Sequence, residues 1–283
     1  MNTGSGGDFL ARMATLSQRR CTGARTRLDE AALRERVAGL PMPPVPRFGS
    51  TGFGLIAEVK RRSPSAGQLA QGSLSPVEQA RLYAQAGALA VSVLTEPSEF
   101  AGDLADLGAV ARALPTLPVM RKDFLVDGYQ VLEARAAGAS GVLLIAAMLE
   151  PARLAALLAC ALELGLFVLV EVFDRDDLAR CRALVTAAAA TAAGAGRVLL
   201  GVNCRDLRTL QVDFARFAGL APDLPQGIPW VAESGITTPA QAGEVAGLGY
   251  SLALVGTALM RAGDPREAAQ ALLAAGRGAR REG

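Results

Sequence analysis

The 283-residue chain contains no histidine. Proton transfer must therefore fall to Lys, Glu, Asp, Tyr or Cys, and metal ligation by imidazole is excluded. Cysteine is scarce too. Cys21, Cys160, Cys181 and Cys204 are scattered without paired spacing, which suggests neither a disulfide framework nor a zinc site. Charge of one sign is also missing. With 29 Lys and Arg against 27 Asp and Glu, the formal net charge is +2, too balanced to imply a nucleic-acid partner. Basic residues cluster only at Arg19-Arg20, Arg61-Arg62 and a short tail from Arg277 to Arg281. No uninterrupted apolar run reaches membrane-spanning length, and residues 1–8 are Gly-rich and polar, unlike a signal peptide. A cytoplasmic enzyme fits, with no membrane partner. Finally, no Gly-x-Gly-x-x-Gly follows the first predicted strand, which counts against an open dinucleotide-binding sheet.

What is present is a large apolar content, 51% hydrophobic, with 31 Gly and 15 Pro. That suffices for one domain over residues 1–283 with a substantial core. Residues 9–39 carry helical spacing, and the prolines between Pro41 and Pro46 end it. Segment 9–46 thus reads as an N-terminal helical extension and connector. Short apolar runs then alternate with longer helical patterns. The spacing predicts strands at 55–59, 90–94, 118–121, 141–145, 167–172, 198–203, 230–232 and 251–255. Each is followed by an Ala/Leu-rich amphipathic helix, such as 76–86 or 151–164. Such alternation argues for a parallel sheet, and eight similar units argue for its closure into a (β/α)8 barrel. Residues 186–196, rich in Ala and Gly, read as a helix end or surface loop without chemistry.

Barrels of this kind place their chemistry at the C-terminal strand ends. Residues two apart on a strand share a face, so Glu58 and Lys60 point together at the end of the first strand, followed by Ser63. The third ends with Lys122 on the face of Met120 and Phe124. In the fifth, Glu171 stands alone among apolar neighbours. The sixth puts Asn203 and Arg205 on one face, and the seventh supplies Glu233, Ser234 and Gly235. Gly256 and Thr257 close the eighth. Taken singly, each has a structural explanation: an ion pair for Glu58 and Lys60, a satisfied carboxylate for Glu171, a solvated pair for Lys122 and Asp123, a turn for either glycine. Taken together they fall at the same end of six strands, which independent structural pairs have no reason to do. Three carboxylates and two lysines facing one mouth would perturb each other's pKa values, as acid–base chemistry near neutral pH requires. The loops at Ser234-Gly235 and Gly256-Thr257 would offer backbone N–H groups and hydroxyls to a phosphate.

These motifs in this order resemble the indole-3-glycerol-phosphate synthase family. They are Glu-Val-Lys-Arg-Arg-Ser-Pro-Ser (58–65), Ser-Val-Leu-Thr-Glu (92–96), Arg-Lys-Asp-Phe (121–124), Val-Leu-Leu-Ile (142–145) and Leu-Val-Glu-Val (169–172). Gly-Val-Asn-Cys-Arg-Asp-Leu (201–207), Ala-Glu-Ser-Gly-Ile (232–236) and Val-Gly-Thr-Ala-Leu-Met (255–260) complete the set. The resemblance implies a (β/α)8 barrel whose N-terminal helical extension helps cover the mouth. It implies closure of an indole ring on a carboxyphenylamino-deoxyribulose phosphate, with loss of carbon dioxide and water. It makes Lys122 the general acid at the substrate ketone, Lys60 a catalytic residue that binds a substrate anion and assists dehydration, and Glu171 the acid/base of later steps. Glu58, Asn203 and Glu233 would orient lysines and hydroxyls. Ser63 and Arg205 would meet an anionic end of the substrate, while Pro64, Phe100, Phe124 and Leu143 line an apolar pocket for the ring. Ser234, Gly235, Gly256 and Thr257 would hold the phosphate. No cofactor is called for, and a monomer is expected.

The sequence departs from the family pattern at Ala66, where Lys is common, at Phe173, where His is frequent, and at Cys204, which replaces a small polar residue. These leave open a paralogue that takes a modified anthranilate. Phosphoribosylanthranilate isomerase and the tryptophan synthase α subunit are the nearest alternatives. Neither is expected to combine Glu-x-Lys-x-x-Ser-Pro with Arg-Lys-Asp-Phe. A non-catalytic phosphosugar-binding barrel would be favoured by loss of Lys122, Lys60 or Glu171, and all three are present.

Overall fold

Eight runs too short for helices, and rich in Val, Leu and Ile, form the barrel strands, and Arg62–Ser63 and Gly67–Gln68 form a separate antiparallel pair. The eight are Gly54–Val59 (β1), Ala90–Leu94 (β2), Val119–Lys122 (β3), Gly141–Ile145 (β4), Phe167–Val172 (β5), Val198–Asn203 (β6), Trp230–Glu233 (β7) and Leu252–Val255 (β8). The computed structural model describes residues 9–48, 52–63, 67–68 and 74–282. All eight strands pair in parallel in chain order, and β8 returns to β1, so the sheet closes into a barrel as the alternation predicts. At the seam Gly54 lies opposite Leu252, and Ile56 opposite both Leu254 and Ala90. Four strands differ from the predicted limits by one residue. The difference matters twice, because Lys122 and Glu233 are the last residues of rigid strands instead of loop residues.

The helices follow from local signals. Helix Pro76–Ala86 starts on a Ser75/Glu78 capping box with Pro at its first position, and stops at Gly87 with φ 90°; both are strong boundary signals. One return helix is a stub. After β6 only Arg216–Leu220 and a 3-10 turn at Ala221–Asp223 form, so not every strand has the long amphipathic helix its neighbours have. Residues 186–196 end the helix Arg175–Ala189 and turn into β6.

Alternation along the strands builds two apolar layers. Val91, Val142, Val168 and Val202 face outward onto the helices, while Ile56, Met120, Leu169, Leu199 and Val231 fill the barrel. The N-terminal helical region divides in two, α1 (Phe9–Arg27) and α2 (Glu30–Ala38), because Asp29 caps α2 by accepting the Ala32 N–H at 2.8 Å. The start of α1 inserts Phe9, Leu10 and Met13 into the interior cluster alongside Phe124 and Leu143. Its end packs Cys21 and Ala24, with Leu33 and Val37 of α2, against Tyr129 and Leu132. Helix α1 therefore lies over the C-terminal mouth.

Candidate active site

A cavity of about 550 Å³ opens at the C-terminal strand ends. Its floor carries Glu58, Lys60, Lys122, Asn203, Arg205 and Glu233; one wall is Phe9, Phe100, Phe124 and Leu143; the far rim is Ser234, Gly235, Gly256 and Thr257. Glu171 is completely buried beneath that floor and meets it through Asn203, whose Nδ2 donates to Glu171 Oε1 at 3.2 Å. Asn203 is itself oriented: its Oδ1 accepts the Arg205 N–H at 2.9 Å, and its carbonyl accepts Arg216 Nη1 at 2.9 Å. Pro64 and the side chain of Ser63 lie outside the described residues.

Glu58 organises the two lysines. Its Oε1 is 2.5 Å from Lys60 Nζ and its Oε2 is 3.8 Å from Lys122 Nζ. Burial pushes the Glu58 pKa up, but Lys60 and Lys122 outweigh it, and the net direction is down. Burial pushes Lys122 down, yet Glu58, Glu171 and Glu233 outweigh that, and its pKa is raised. Lys122 is thus an ammonium that keeps its proton at neutral pH and is held among carboxyl groups at the cavity floor.

The residue after Lys122 is a different kind of carboxylate. Asp123 is buried and accepts Arg20 Nη2 at 2.7 Å and Nη1 at 3.0 Å, Thr95 Oγ1 at 2.7 Å, Arg121 Nη2 at 3.1 Å and the Phe124 N–H at 2.8 Å. Burial alone would raise its pKa; Arg121, Arg20 and Thr95 bring it far below the usual range. Arg20 belongs to α1, and Ser17 of α1 donates to the Phe124 carbonyl while accepting Gln130 Nε2 at 2.7 Å. The covering helix is thereby bolted to the loop that follows Lys122. A sequence signal for this existed only as Arg-Lys-Asp; the partner in α1 is 103 residues away.

Glu171 and Glu233 have the opposite surroundings. Glu171 Oε2 and both Glu233 oxygens are buried without a hydrogen-bond donor among the described residues. Burial, the adjacent Glu171 and Glu58 raise the Glu233 carboxyl well above the ordinary value, against a smaller opposing pull from Lys122. Space for the Glu233 carboxyl comes from Gly201, where a Cβ would stand 2.0 Å from Glu233 Oε1. The place of Gly201 inside the predicted strand 198–203 signals a close approach, but the sequence does not say of what.

At the far rim, Ser234 and Gly235 both have left-handed backbone, φ 65° and 67°. This conformation is uncommon for serine and aims consecutive groups into the cavity. A Cβ at Gly235 would meet Cys204 Sγ at 2.5 Å, and one at Gly256 would meet Glu58 Oε1 at 2.4 Å. Glycine at 256 is therefore required by the Glu58 carboxylate, a reason independent of any anion. Arg261 also lines this rim. It sits four residues beyond Thr257 in the helix Thr257–Arg261, a spacing that puts both on one side and that could have flagged it. No cluster of three or more potential metal ligands occurs among the described residues.

A family model described as indole-3-glycerol phosphate synthase matches residues 43–272. The indole-3-glycerol phosphate synthase of Parafrankia sp. (strain EAN1pec) is 48% identical over 248 residues, covering 87% of this chain and 88% of that protein. The enzyme of the same name from Micrococcus luteus is 46% identical over 255 residues, covering 88% and 90%. Among solved structures, thiamine phosphate pyrophosphorylase from Pyrococcus furiosus superposes with a TM-score of 0.57 at 19% identity, over 81% of this chain and 98% of that one. Tryptophan synthase subunit alpha from Legionella pneumophila gives 0.53 at 17%, over 88% and 98%. At such identities these two carry the barrel fold alone.

Proposed function

The chain belongs to the indole-3-glycerol phosphate synthase family, and from that premise we propose that Lys122 is the acid of its ring closure. The enzyme is a carboxy-lyase of tryptophan biosynthesis that converts 1-(2-carboxyphenylamino)-1-deoxyribulose 5-phosphate into indole-3-glycerol phosphate. The observation that carries the assignment is the place of Lys122 on the cavity floor, its Nζ 3.8 Å from Glu58 Oε2, in a chain without histidine.

As the aromatic carbon attacks the ketone carbon, negative charge grows on the ketone oxygen. The Lys122 ammonium stabilises it and transfers a proton. Carbon dioxide then leaves and the benzene ring regains its aromaticity. Loss of the new hydroxyl, with a proton from the neighbouring carbon, completes the indole. Glu58 holds both lysines in place and favours the charged form of Lys122. Lys60, Ser63 and Arg205 hold an anionic end of the substrate, and Pro64 belongs with the apolar pocket for the ring. Phe100, Phe124 and Leu143, joined by Phe9, flank the ring. Ser234, Gly235, Gly256 and Thr257 take the phosphate, helped by Arg261. Glu171 serves the later proton transfers, and Asn203 and Glu233 orient the substrate hydroxyls. These are proton transfers and a decarboxylation, for which amines and carboxyls suffice. We read residues 1–283 as one catalytic domain with 9–46 as its cover, acting as a cytoplasmic monomer. Among the described residues no helix is long and apolar enough to cross a membrane.

The test compares Lys122→Ala with Lys60→Ala by indole fluorescence, measuring kcat and substrate Kd separately. Lys122→Ala is expected to lower kcat by about 10²-fold or more with substrate still bound. Lys60→Ala is expected to weaken binding at least as much as turnover. Near-normal single-turnover ring closure in folded Lys122→Ala would move the acid role to Lys60.

A further inference from the structure

We propose that Arg208 is a positioning residue: by clasping Asp206 it holds the loop after β6 folded against the cavity, so that Arg205 meets the substrate anion. The proposal rests on the anion-binding role given to Arg205 above and names what makes that role possible.

The loop has little else to hold it. Five strand exits run into helices with side-chain caps, from Ser75, Asp103, Asp127, Asp174 and Thr238. The chain leaving β6 instead reaches only the five-residue helix Arg216–Leu220, which has no side-chain cap. Before that helix, residues 204–213 fold back on themselves. The Asp213 N–H donates to the Cys204 carbonyl at 2.8 Å, and Arg205 pairs antiparallel with Val212. The turn closes on Asp206, whose N–H donates to the Gln211 carbonyl at 3.0 Å and whose carbonyl accepts the Leu210 N–H at 2.6 Å. Leu210 takes left-handed backbone, φ 62°, uncommon for any residue with a side chain. Its carbonyl accepts Arg205 Nη1 at 3.2 Å.

Arg208 does not line the cavity; it holds the turn from behind. Its N–H and Nε both donate to Asp206 Oδ1 at 2.9 Å, and its Nη2 donates to Asp206 Oδ2 at 2.9 Å. The same Nη2 donates to Asp174 Oδ2, Nη1 stands 3.8 Å from Asp177 Oδ2, and the guanidinium lies 5.4 Å from the centre of the Phe173 ring. The clasp therefore ties the exit of β6 to the exit of β5, and Phe173 forms its apolar face. From β6 itself, the Asn203 carbonyl holds Arg216, whose Nη2 stands 3.9 Å from Asp206 Oδ2. A planar fork that meets both oxygens of one carboxylate, a second carboxylate and a ring is work for arginine and not for lysine.

Two consequences reach the substrate. Arg208 occupies both Asp206 oxygens, so the carboxylate next in sequence is not spent on Arg205, which forms no ion pair among the described residues. The fold of the turn also puts Arg205, Leu207, Leu210 and Val212 together on the cavity wall, with Leu210 and Val212 exposed. A guanidinium without a counter-charge beside uncovered apolar side chains suits a ligand that brings both an anion and a ring. Arg208 touches neither, and its effect passes through Arg205.

Single-turnover experiments with enzyme in excess give substrate Kd from the concentration dependence and the ring-closing rate from the plateau. Arg208→Ala should raise Kd by about 10-fold or more, the scale of one lost charged hydrogen bond, with the plateau rate within a few fold of the parent. A plateau rate that falls as far as Kd rises would count against a positioning role. Arg208→Lys should leave Kd raised, because one nitrogen cannot meet both Asp206 oxygens; a Kd restored to the parent value would reduce the clasp to a surface charge. A double-mutant cycle then asks whether the effect passes through Arg205. In an Arg205→Ala background, Arg208→Ala should change Kd by less than about twofold. The same loss there as in the parent, or an unchanged Kd in Arg208→Ala alone, would overturn the proposal. Circular dichroism checks folding, and if Arg208→Ala does not fold, Arg208→Lys carries the same cycle. Unchanged Kd in Arg205→Ala alone would instead defeat the anion-binding role given to Arg205 above, so the two failures are distinguishable.

Discussion

Asp123 and Glu233 are both buried carboxyls at the ends of barrel strands, yet the protein treats them in opposite ways. Asp123 is met by two guanidiniums, a hydroxyl and a backbone amide. Glu233 has no donor among the described residues and a second carboxyl for a neighbour. Desolvation is the first influence on both, and it pushes both toward the neutral form. The partners decide the outcome. Asp123 is locked as an anion and acts as a bolt between α1 and the barrel, whereas Glu233 is pushed toward its neutral form. Equal burial therefore separates a structural carboxylate from a reactive one only when the donors around each are counted.

The widest test of this contrast pairs two conservative changes. Asp123→Asn removes the counter-charge of Arg20 and the nearer of the two carboxylates beside Arg121, the other being Glu133 at 3.5 Å, so chemical denaturation should show a loss of about 3–5 kcal/mol. Glu233→Gln mimics a neutral acid and removes a penalty that grows with pH, so at neutral pH it should be no less stable than the parent. Similar losses in the two variants would break the comparison. A smaller effect comes from Arg20→Ala, which removes one of two guanidiniums from Asp123 and should cost about 1.5–3 kcal/mol. Because Arg20 also carries α1, substrate Kd should rise in that variant; unchanged Kd would show that the cover is held by Phe9, Leu10 and Met13 alone.

The pH dependence of stability sharpens the contrast through its sign. The folded pKa of Asp123 is depressed, so its contribution is present above the unfolded value of about 3.9 and is lost as pH falls through the folded value. The folded pKa of Glu233 is raised, so its contribution is complete below the unfolded value of about 4.3 and is lost as pH rises through the folded one. Denaturation midpoints measured across pH should show the acid-side slope flattened in Asp123→Asn and the slope above it flattened in Glu233→Gln. If each variant left its slope untouched, the two carboxyls would not differ in the way described.

Much of this was legible in the chain. The period-two face pattern put Glu58 with Lys60 and Asn203 with Arg205, and the apolar run lengths marked all eight strands. Local signals of that kind survive without any knowledge of tertiary contacts. What could not be read depends on residues far apart in the chain. Arg20 meeting Asp123, the gap that Gly201 leaves for Glu233, and Glu58 standing against Gly256 are all of this type. The break at Asp29 was a local signal that the helical spacing of residues 9–39 obscured, since Asp29 followed by Glu30 is an ordinary helix start. Arg261 escaped notice because only its place one turn beyond Thr257 gives it meaning.

The seam between β1 and β8 bears on how the chain is made. Gly54 must wait for Leu252 before its strand has a second neighbour, and Arg277 of the last helix reaches back to the Phe53 carbonyl at 3.1 Å. During synthesis β1 therefore leaves the ribosome long before its final partner exists. Throughout that interval the growing sheet has two open edges able to recruit strands from other chains. A nascent chain stalled before Leu252–Val255 emerges would keep both edges open and be a client for chaperones despite carrying Glu58, Lys60, Lys122, Glu171 and Glu233.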